Sequence, residues 1–495
     1  MEPETLEDHL RRTTRSFTSR LPEDDVLALG RDLAQELVRA HAESPPRHAD
    51  LDLRAISMVD GKPRLSGGDA SGSVAEDLFQ LGALLHWLAS GREPEVSWRL
   101  DGPPAPELST LARRAALAGL TTPIADARLP TASAAVAAVA AALAPEADAP
   151  APWPLFRGEP GRSGSRPSQT AFAALASTWE APLGAVVASP VLAGPFVIAP
   201  AADGRLCFLD RATGRRVHEQ RVGSALESSP ALAEGRLHLG TDDGDLVGID
   251  VKDAKEIYRV RLGTLVRSSP LALADRVVVG VVEGKAAGCV AAVDPRTSKL
   301  LWKRKLGPVF SSPALAGDRV LVGSDDGSLH ALDAQTGAIL WSHRLEGKVR
   351  ATPAVSGDLA VVGDFDGRLV AVRVADGTRA WVQQLGQGVY SSPCLFAGLC
   401  AVGCHDGGVH AFRLATGEPA FKASTRGPVV SSPAALGQAL FVGSTDGDLY
   451  LLDSAGGILA RATLSPQGTQ SSPALDGEGL VIGSARGLHA FRVLA

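Results

Sequence analysis

Two groups of side chains in this sequence are of types that could do chemistry. The first is a set of eight positions, each directly ahead of a Ser-Ser-Pro-like triplet: Val187, Glu227, Arg267, Phe310, Arg350, Tyr390, Val430 and Gln470. Their neighbours repeat and they do not. A position free to differ among otherwise similar repeats is not fixed by packing between sheets. Two arginines, two aromatics, a glutamate and a glutamine suit recognition of a protein or peptide, where Arg and Tyr are favoured anchors. Glu227, Arg267, Phe310, Arg350, Tyr390 and Gln470 are therefore the candidate protein-binding residues. The second group could hold a metal. Cys394, Cys400 and Cys404 lie close in sequence, with His405 as the only nearby fourth ligand. They stand where other repeats carry Ala, Val and Ser, however, and so read as small buried side chains. Asp364-Phe365-Asp366-Gly367 begins like a calcium loop but lacks the further oxygen ligands at regular spacing, and reads as a hairpin turn. These patterns assign no catalytic residue, no metal ligand and no cofactor.

The elements that must position these residues follow from a period. Pro190, Pro230, Pro270, Pro313, Pro353, Pro393, Pro433 and Pro473 each follow Ser or Thr, at a constant step that lengthens only once, between Pro270 and Pro313. Such regularity marks a repeat architecture. In the unit that opens at Ser311, four apolar runs are separated by Gly317-Asp318, Asp326-Gly327 and Thr336-Gly337. Short runs rich in Val and Leu, bounded by glycine turns, read as antiparallel strands joined by hairpins, and four of them make one propeller blade. The last unit stops after Phe491 with three strands. Thr178 to Leu183 matches the fourth strand of other units, such as Leu301 to Leu306. The sequence thus predicts an eight-bladed β-propeller over 171–495, its last blade completed by the strand around Trp179 so that no edge stays open.

The repeat resembles the pyrroloquinoline-quinone-like (quinoprotein, BamB-type) propellers. The resemblance rests on Ala331, Asp333, Thr336, Gly337 and Trp341, with near copies at Asp294 to Trp302 and Asp376 to Trp381. Trp153-Pro154-Leu155-Phe156-Arg157-Gly158, followed by Gly164, is similar to the segment that leads into many such domains. The Gly-His and Trp-Asp signatures of WD40 blades are absent. The resemblance implies that the first strand of each blade lines the central channel, which would gather the eight variable residues at one channel mouth. It also raises two further roles. A quinone-dependent dehydrogenase would need an adjacent cysteine pair and a calcium site, and neither pattern is present. An outer-membrane assembly factor would need a signal peptide and a lipidated cysteine, and the first cysteine here is Cys207.

Residues 1–146 lack the strand pattern and read as a small all-α domain. Helices are predicted over Val26 to His41, Ser73 to Ser90, Leu108 to Leu120 and Thr131 to Leu143. This part resembles the C-lobe of protein kinases in His48-Ala49-Asp50-Leu51, in Ile56, Asp60-Gly61 and Leu65, in Asp77 to Gly82 with Leu84, Leu85, Leu88 and Gly91, and in Ala127 to Pro130. Ala55 and Gly67 stand where that family has its catalytic Asn and its Mg²⁺-binding Asp. Ala49 and Asp52 replace the loop Arg and Lys, and too few residues precede His48 for a nucleotide-binding lobe. Phosphoryl transfer depends on positioned nucleotide and metal, so the resemblance implies an inactive pseudokinase module. Residues 147–170, rich in Pro, Gly and Ser, read as a linker on which Trp153 and Phe156 pack against the propeller.

Charge and composition narrow the rest. Residues 1–150 carry a net −8 and the remainder +2, with no basic stripe, which excludes a nucleic-acid partner. An Arg- and Ala-rich composition fits a GC-rich bacterial genome. No signal-like opening and no membrane-length apolar run is present, and five cysteines, an odd number, agree with a reducing compartment, so a cytoplasmic protein is expected. The expected function is a non-catalytic scaffold or adaptor for proteins or peptides. The alternative is a sensor that holds a small ligand in the channel.

Overall fold

The computed structural model describes residues 153–251, 254–477 and 479–494, and, nearer the N-terminus, the strands Glu4–Thr5, Ile56–Val59 and Lys62–Leu65. The chain divides into two units, Met1–Ala149 and Pro150–Ala495. In the first unit the three strands form one antiparallel sheet, with Ile56–Val59 in the middle. The described part of this unit is therefore β, where an all-α domain was predicted. The reason is local: Ile56 to Val59 and Lys62 to Leu65 flank an Asp-Gly dipeptide, the pattern of a hairpin. The predicted helices and the His48 to Leu51 motif lie outside the described residues. Among the described residues no helix is long and apolar enough to cross a membrane.

The second unit is built of eight antiparallel blades of four strands each, and the short strand Ser165–Arg166 pairs parallel with the first strand of blade 7 as a fifth. Their first strands open at Val191, Ala231, Leu271, Ala314, Ala354, Cys394, Ala434 and Ala474. Blade 4 shows the plan, with strands Ala314–Ala316, Arg319–Ser324, Ser328–Asp333 and Ile339–Arg344. Its second and third strands are almost wholly buried while its fourth alternates outward, as an outer strand must. The eighth blade ends with Gly487–Leu494, and its fourth strand is Ala174–Pro182 from the other end of the unit. The closing strand predicted around Trp179 is thus in place.

Tryptophans join blade to blade. Trp302, Trp341, Trp381 and Trp179 each donate an indole N–H to a carbonyl of the next blade, at Ala334, Val374, Leu414 and Arg211 (3.2, 3.0, 2.8 and 3.0 Å). The glycine of the Thr-Gly turn lies flat on that indole. A Cβ on Gly337 would meet the Trp302 ring at 2.4 Å, and one on Gly214 would meet Trp179 at 2.5 Å. The recurring Asp, Thr-Gly and Trp residues are therefore one inter-blade joint. At the seam, Arg211 of blade 1 also pairs with Asp476 of blade 8.

At the centre, the Ser-Pro motif makes a second joint. The backbone N–H of Ser189 donates to Ser229 Oγ, and the same bond runs on through Ser269, Ser312, Thr352, Ser392, Ser432 and Ser472. It closes where Ser472 N–H reaches Ser189 Oγ at 3.0 Å. In several blades the preceding serine bridges as well: Ser228 Oγ accepts from Gly240 N–H in its own blade and donates to Ser268 O in the next.

The segment expected to be a linker is, from Trp153 on, part of the propeller. Carbonyls of Trp153, Pro154, Pro160, Gly161, Ser163 and Gly164 accept from the first-strand N–H groups of Leu192, Leu232, Leu315, Val355, Leu395 and Ala435 in turn, so the segment winds past six blades. Arg157 and Arg162 are buried there. Arg157 donates to Pro433 O and Pro393 O (both 2.5 Å), and Arg162 to Pro313 O and Pro270 O (3.0 and 2.9 Å). Burial pulls both guanidiniums below their ordinary range, and Glu159 opposes this. Glu159 itself accepts from Gly161 and Ser163 N–H. Both arginines sit at positive φ (67° and 62°), a conformation that costs about 1–3 kcal/mol and persists where surroundings over-determine it. Composition suggested a linker because Pro, Gly and Ser serve equally a free chain and one whose backbone must present carbonyls at close quarters.

Two outcomes follow for stability. Trp179→Ala should lower stability by about 3–5 kcal/mol in denaturant unfolding, because it empties the joint at the only seam not made by consecutive chain; an unchanged midpoint would contradict the closure. His238, buried 2.6 Å from Tyr258 Oη, is pulled down to about 4 by burial. Its folded pKa lies below its unfolded one of about 6.5. The unfolded chain therefore takes the proton first, and this contribution is full above pH ~6.5 and lost as pH falls toward about 4. His238→Gln should make the stability-against-pH curve shallower by one proton across that window; an unchanged slope would contradict it.

Candidate functional site at the channel mouth

Directly ahead of each first strand the order is fixed: variable residue, two small hydroxyl or alanine residues, then proline. The second hydroxyl builds the central ring, and the prolyl carbonyls beyond it hold the arginines of the lead-in segment. The variable residues therefore stand on the other side of the ring from that segment. Arg157 and Arg162 cross the axis beneath the ring, on prolyl carbonyls of blades 3, 4, 6 and 7, and the variable residues lie above it.

The structure brings the predicted residues to this mouth and shows that most of them touch one another. Arg267 pairs with Glu227 at 2.7 Å and grips both oxygens of Asp242 at 3.0 and 2.7 Å. Arg350 grips Asp325 the same way, at 2.8 and 2.7 Å. Its guanidinium also lies over Phe310 (4.1 Å) and near Phe365 (5.1 Å). Phe365 meets Tyr390 with centroids 3.7 Å apart, and Tyr390 stacks on His405 at 4.1 Å. The result is one continuous stack: Phe310, Arg350, Phe365, Tyr390, His405. Cation–π and aromatic contacts of this kind contribute about 0.5–2 kcal/mol each and set ring planes in fixed orientations. Val430, Gln470 and Val187 complete the circle with no charge, and Gln470 is exposed.

Electrostatics follow from these pairs. Burial pushes the Glu227 carboxyl up, with Asp242 adding to the rise and Arg267 opposing it. The hydrogen bond to Asp242 raises Arg267. Burial pulls His405 down, so its ring is neutral near pH 7. The arginines read from sequence as free anchors are thus already neutralised by carboxylates. The side chain of the stack that is most open is Tyr390, at 38% exposure.

Asp242 and Asp325 were missed by sequence reasoning, and Phe365 and His405 were weighed only in a calcium-like loop and as a metal ligand. All four occupy one place, at the end of the second strand, and each stands at the same distance along the chain ahead of the mouth residue of the next blade: Asp242 before Arg267, Asp325 before Arg350, Phe365 before Tyr390. The signal was available, since Asp precedes each Arg by this spacing while Ala202 precedes Glu227 and Thr445 precedes Gln470.

The three clustered cysteines separate. Cys394 Sγ lies on Gly164 O at 3.4 Å, and Cys400 is fully buried in the second strand of blade 6. His405 faces Tyr390 rather than joining a thiol set. Asp364 accepts from the backbone N–H groups of Gly347, Asp366 and Arg368 (3.0, 3.1 and 2.8 Å), which makes it the anchor of a hairpin.

The blade count, the closing strand and the Trp joint define the class: this is an eight-bladed propeller of the pyrroloquinoline-quinone-like type. Residues 181–487 match the family described as the β-propeller of β-alanine-activating enzyme, and the chain belongs to that propeller family. Among solved structures it is similar to BamB from Moraxella catarrhalis (20% identity, TM-score 0.56), over 64% of this chain and 99% of that one. It is also similar to the computationally designed Ika8 protein (17% identity, TM-score 0.57; 66% of this chain and 100% of that one). A europium-containing methanol dehydrogenase aligns at 14% identity and TM-score 0.60, over 68% of this chain and 89% of that one. These likenesses are of fold. A search of curated proteins finds no matching sequence.

Asp325 is only 6% exposed, so its pairing with Arg350 is structural as well as local to the mouth. Arg350→Ala should cost about 2–3 kcal/mol by removing both short bonds to that buried carboxylate and leaving it only Lys348, whose Nζ lies 3.4 Å away. Asp325→Ala combined with Arg350→Ala should cost less than the single change. Equal or additive losses in a double-mutant cycle would refute the coupling.

Proposed function

We propose that the chain is a non-catalytic interaction scaffold whose propeller mouth recognises a protein or peptide, with the N-terminal unit as a second, kinase-like module that does no chemistry. The observation that carries this reading is the stack from Phe310 to His405. It presents flat, preorganised aromatic surface on the side of the ring away from the lead-in segment, and its charges are internally balanced. Rigid aromatic area of this sort binds at low cost in side-chain entropy.

The chemistry of the mouth supports recognition over turnover. A quinone held with a hard cation needs free oxygen donors, but Asp242 and Asp325 are each gripped by both prongs of an arginine. The five cysteines are free thiols with no adjacent pair. The family takes its name from an enzyme that activates β-alanine; here the propeller is read as a recognition part, and no group of the mouth is assigned to that reaction. A small planar ligand stacked on Tyr390 is the second reading the same wall supports, and a cytoplasmic location remains the expectation for either.

The test removes two aromatic members of the stack. Phe310→Ala with Tyr390→Ala should abolish capture of the specific partner from host extract, while the lost stacking lowers the melting temperature by a few degrees and unfolding stays cooperative. Leu340→Ala, on an exposed outer strand, should capture normally. Retained capture by the double variant would overturn the reading. A rise in melting temperature with a small aromatic metabolite, lost in the same variant, would favour the sensor.

A further inference from the structure

We infer that blade 6 holds a binding site for one soft divalent cation of the zinc(II) class, made by Cys404, Asp406 and His410. The thiol sulfur, a carboxylate oxygen and the imidazole nitrogen all lie within 4.8 Å of one another. Sulfur, nitrogen and oxygen donors from three side chains, with a fourth position left open, form a set that zinc accepts and that calcium or magnesium does not.

Comparison between blades isolates what makes the site. The corresponding turn of blade 4 carries Ser324, Asp326, Ser328 and His330, and there His330 Nε2 lies 3.0 Å from Asp326. Blade 6 repeats that pair, with His410 Nε2 at 2.9 Å from Asp406. It differs in two places. Cys404 replaces the serine hydroxyl, although Ser324 and Ser444 show that the turn needs only a hydroxyl to bond the Asp N–H. Gly408 replaces Ser328. A Cβ on Gly408 would stand 2.6 Å from His410 Nε2, 2.8 Å from Asp406 Oδ1 and 2.8 Å from Lys422 Cε. A side chain at 408 would therefore press directly on two of the ligands, and glycine leaves them unobstructed. One substitution supplies a soft ligand and the other keeps a side chain off the ligand atoms.

The present partners are replaceable. Asp406 accepts from Lys422 Nζ at 2.9 Å, an ammonium on a half-exposed stem that stands where a cation is attracted and can swing into solvent. Cys404 donates its thiol to Gln387 O at 3.2 Å. On binding, the sulfur–metal bond forms as the thiol proton leaves to solvent, the Nε2 proton that His410 shares with Asp406 is exchanged through solvent for one on Nδ1 so that the Nε2 lone pair faces the ion, and the lysine ammonium leaves the carboxylate. Asp406 and His410 are each about 15% exposed and give the ion its way in. His405, between Cys404 and Asp406 in the chain, stacks on Tyr390, so the ion would pin the turn that ends the mouth's aromatic stack.

The test is a cobalt(II) titration of the full chain, followed by displacement with zinc(II). One equivalent of cobalt should give a thiolate-to-cobalt charge-transfer band, and zinc should remove it and raise the melting temperature. Cys404→Ser, which restores the blade 4 residue, should lose the band and bind zinc more than about 100-fold more weakly. Gly408→Ser, which keeps every ligand but sets a side chain against His410 and Asp406, should also weaken binding. No charge-transfer band in folded wild-type protein, or a band unchanged in Cys404→Ser, would overturn the site. Should Cys404→Ser fail to fold, His410→Gln decides in the same way: a weakened cobalt spectrum supports the site and an unchanged one overturns it.

Discussion

Each blade hands one backbone N–H to the hydroxyl of the next, and eight such bonds close on themselves at Ser472 and Ser189. Singly each contributes about 1 kcal/mol, yet all are buried, so breaking one leaves a donor unpaired where no water reaches. The proline that follows has no N–H to satisfy at the crowded axis, and its carbonyl is left pointing at the centre. Arg157 and Arg162 take four of those carbonyls from blades 3, 4, 6 and 7. One four-residue motif therefore fixes three things at successive heights: the mouth residue, the ring and the carbonyls that hold the arginines.

That arrangement explains which features can be read from the chain. The period, the blade count and the closing strand at Trp179 are legible because each blade must repeat the same hydroxyl, glycine and tryptophan to join its neighbour. The lead-in segment is not, because its partners are backbone carbonyls and amides scattered along the chain from Leu192 to Ala435. Its local signs were the Trp153 to Gly158 run, similar to a lead-in segment, and the arginines Arg157, Arg162 and Arg166, within a stretch otherwise suited to a free linker. The mouth was half legible. Variation among repeats picked out Arg267 and Arg350, but their neutralisation by Asp242 and Asp325 depends on contact between adjacent blades. The shared spacing from each Asp to its Arg carries that information only once the blades are known to be neighbours.

The balance of forces at the mouth bears on what the protein does. Arginines engaged by carboxylates cannot act as anion receptors, and carboxylates engaged by arginines cannot hold a hard cation. What remains accessible is the aromatic face around Tyr390 and the polar edge at Gln470. The free energy of the site thus resides in shape and preorganisation more than in net charge, which favours recognition of an uncharged or aromatic-bearing segment.

The most direct measurement places a photo-reactive benzoylphenylalanine in the full chain, in host cells, at position 390 in one experiment and at position 340 on the outer strand of blade 4 in the other. The account predicts a discrete protein adduct from Tyr390→benzoylphenylalanine and none from Leu340→benzoylphenylalanine. Adducts from the outer strand alone, or from neither position while the partner is still bound, would contradict the claim that the mouth is the recognition surface.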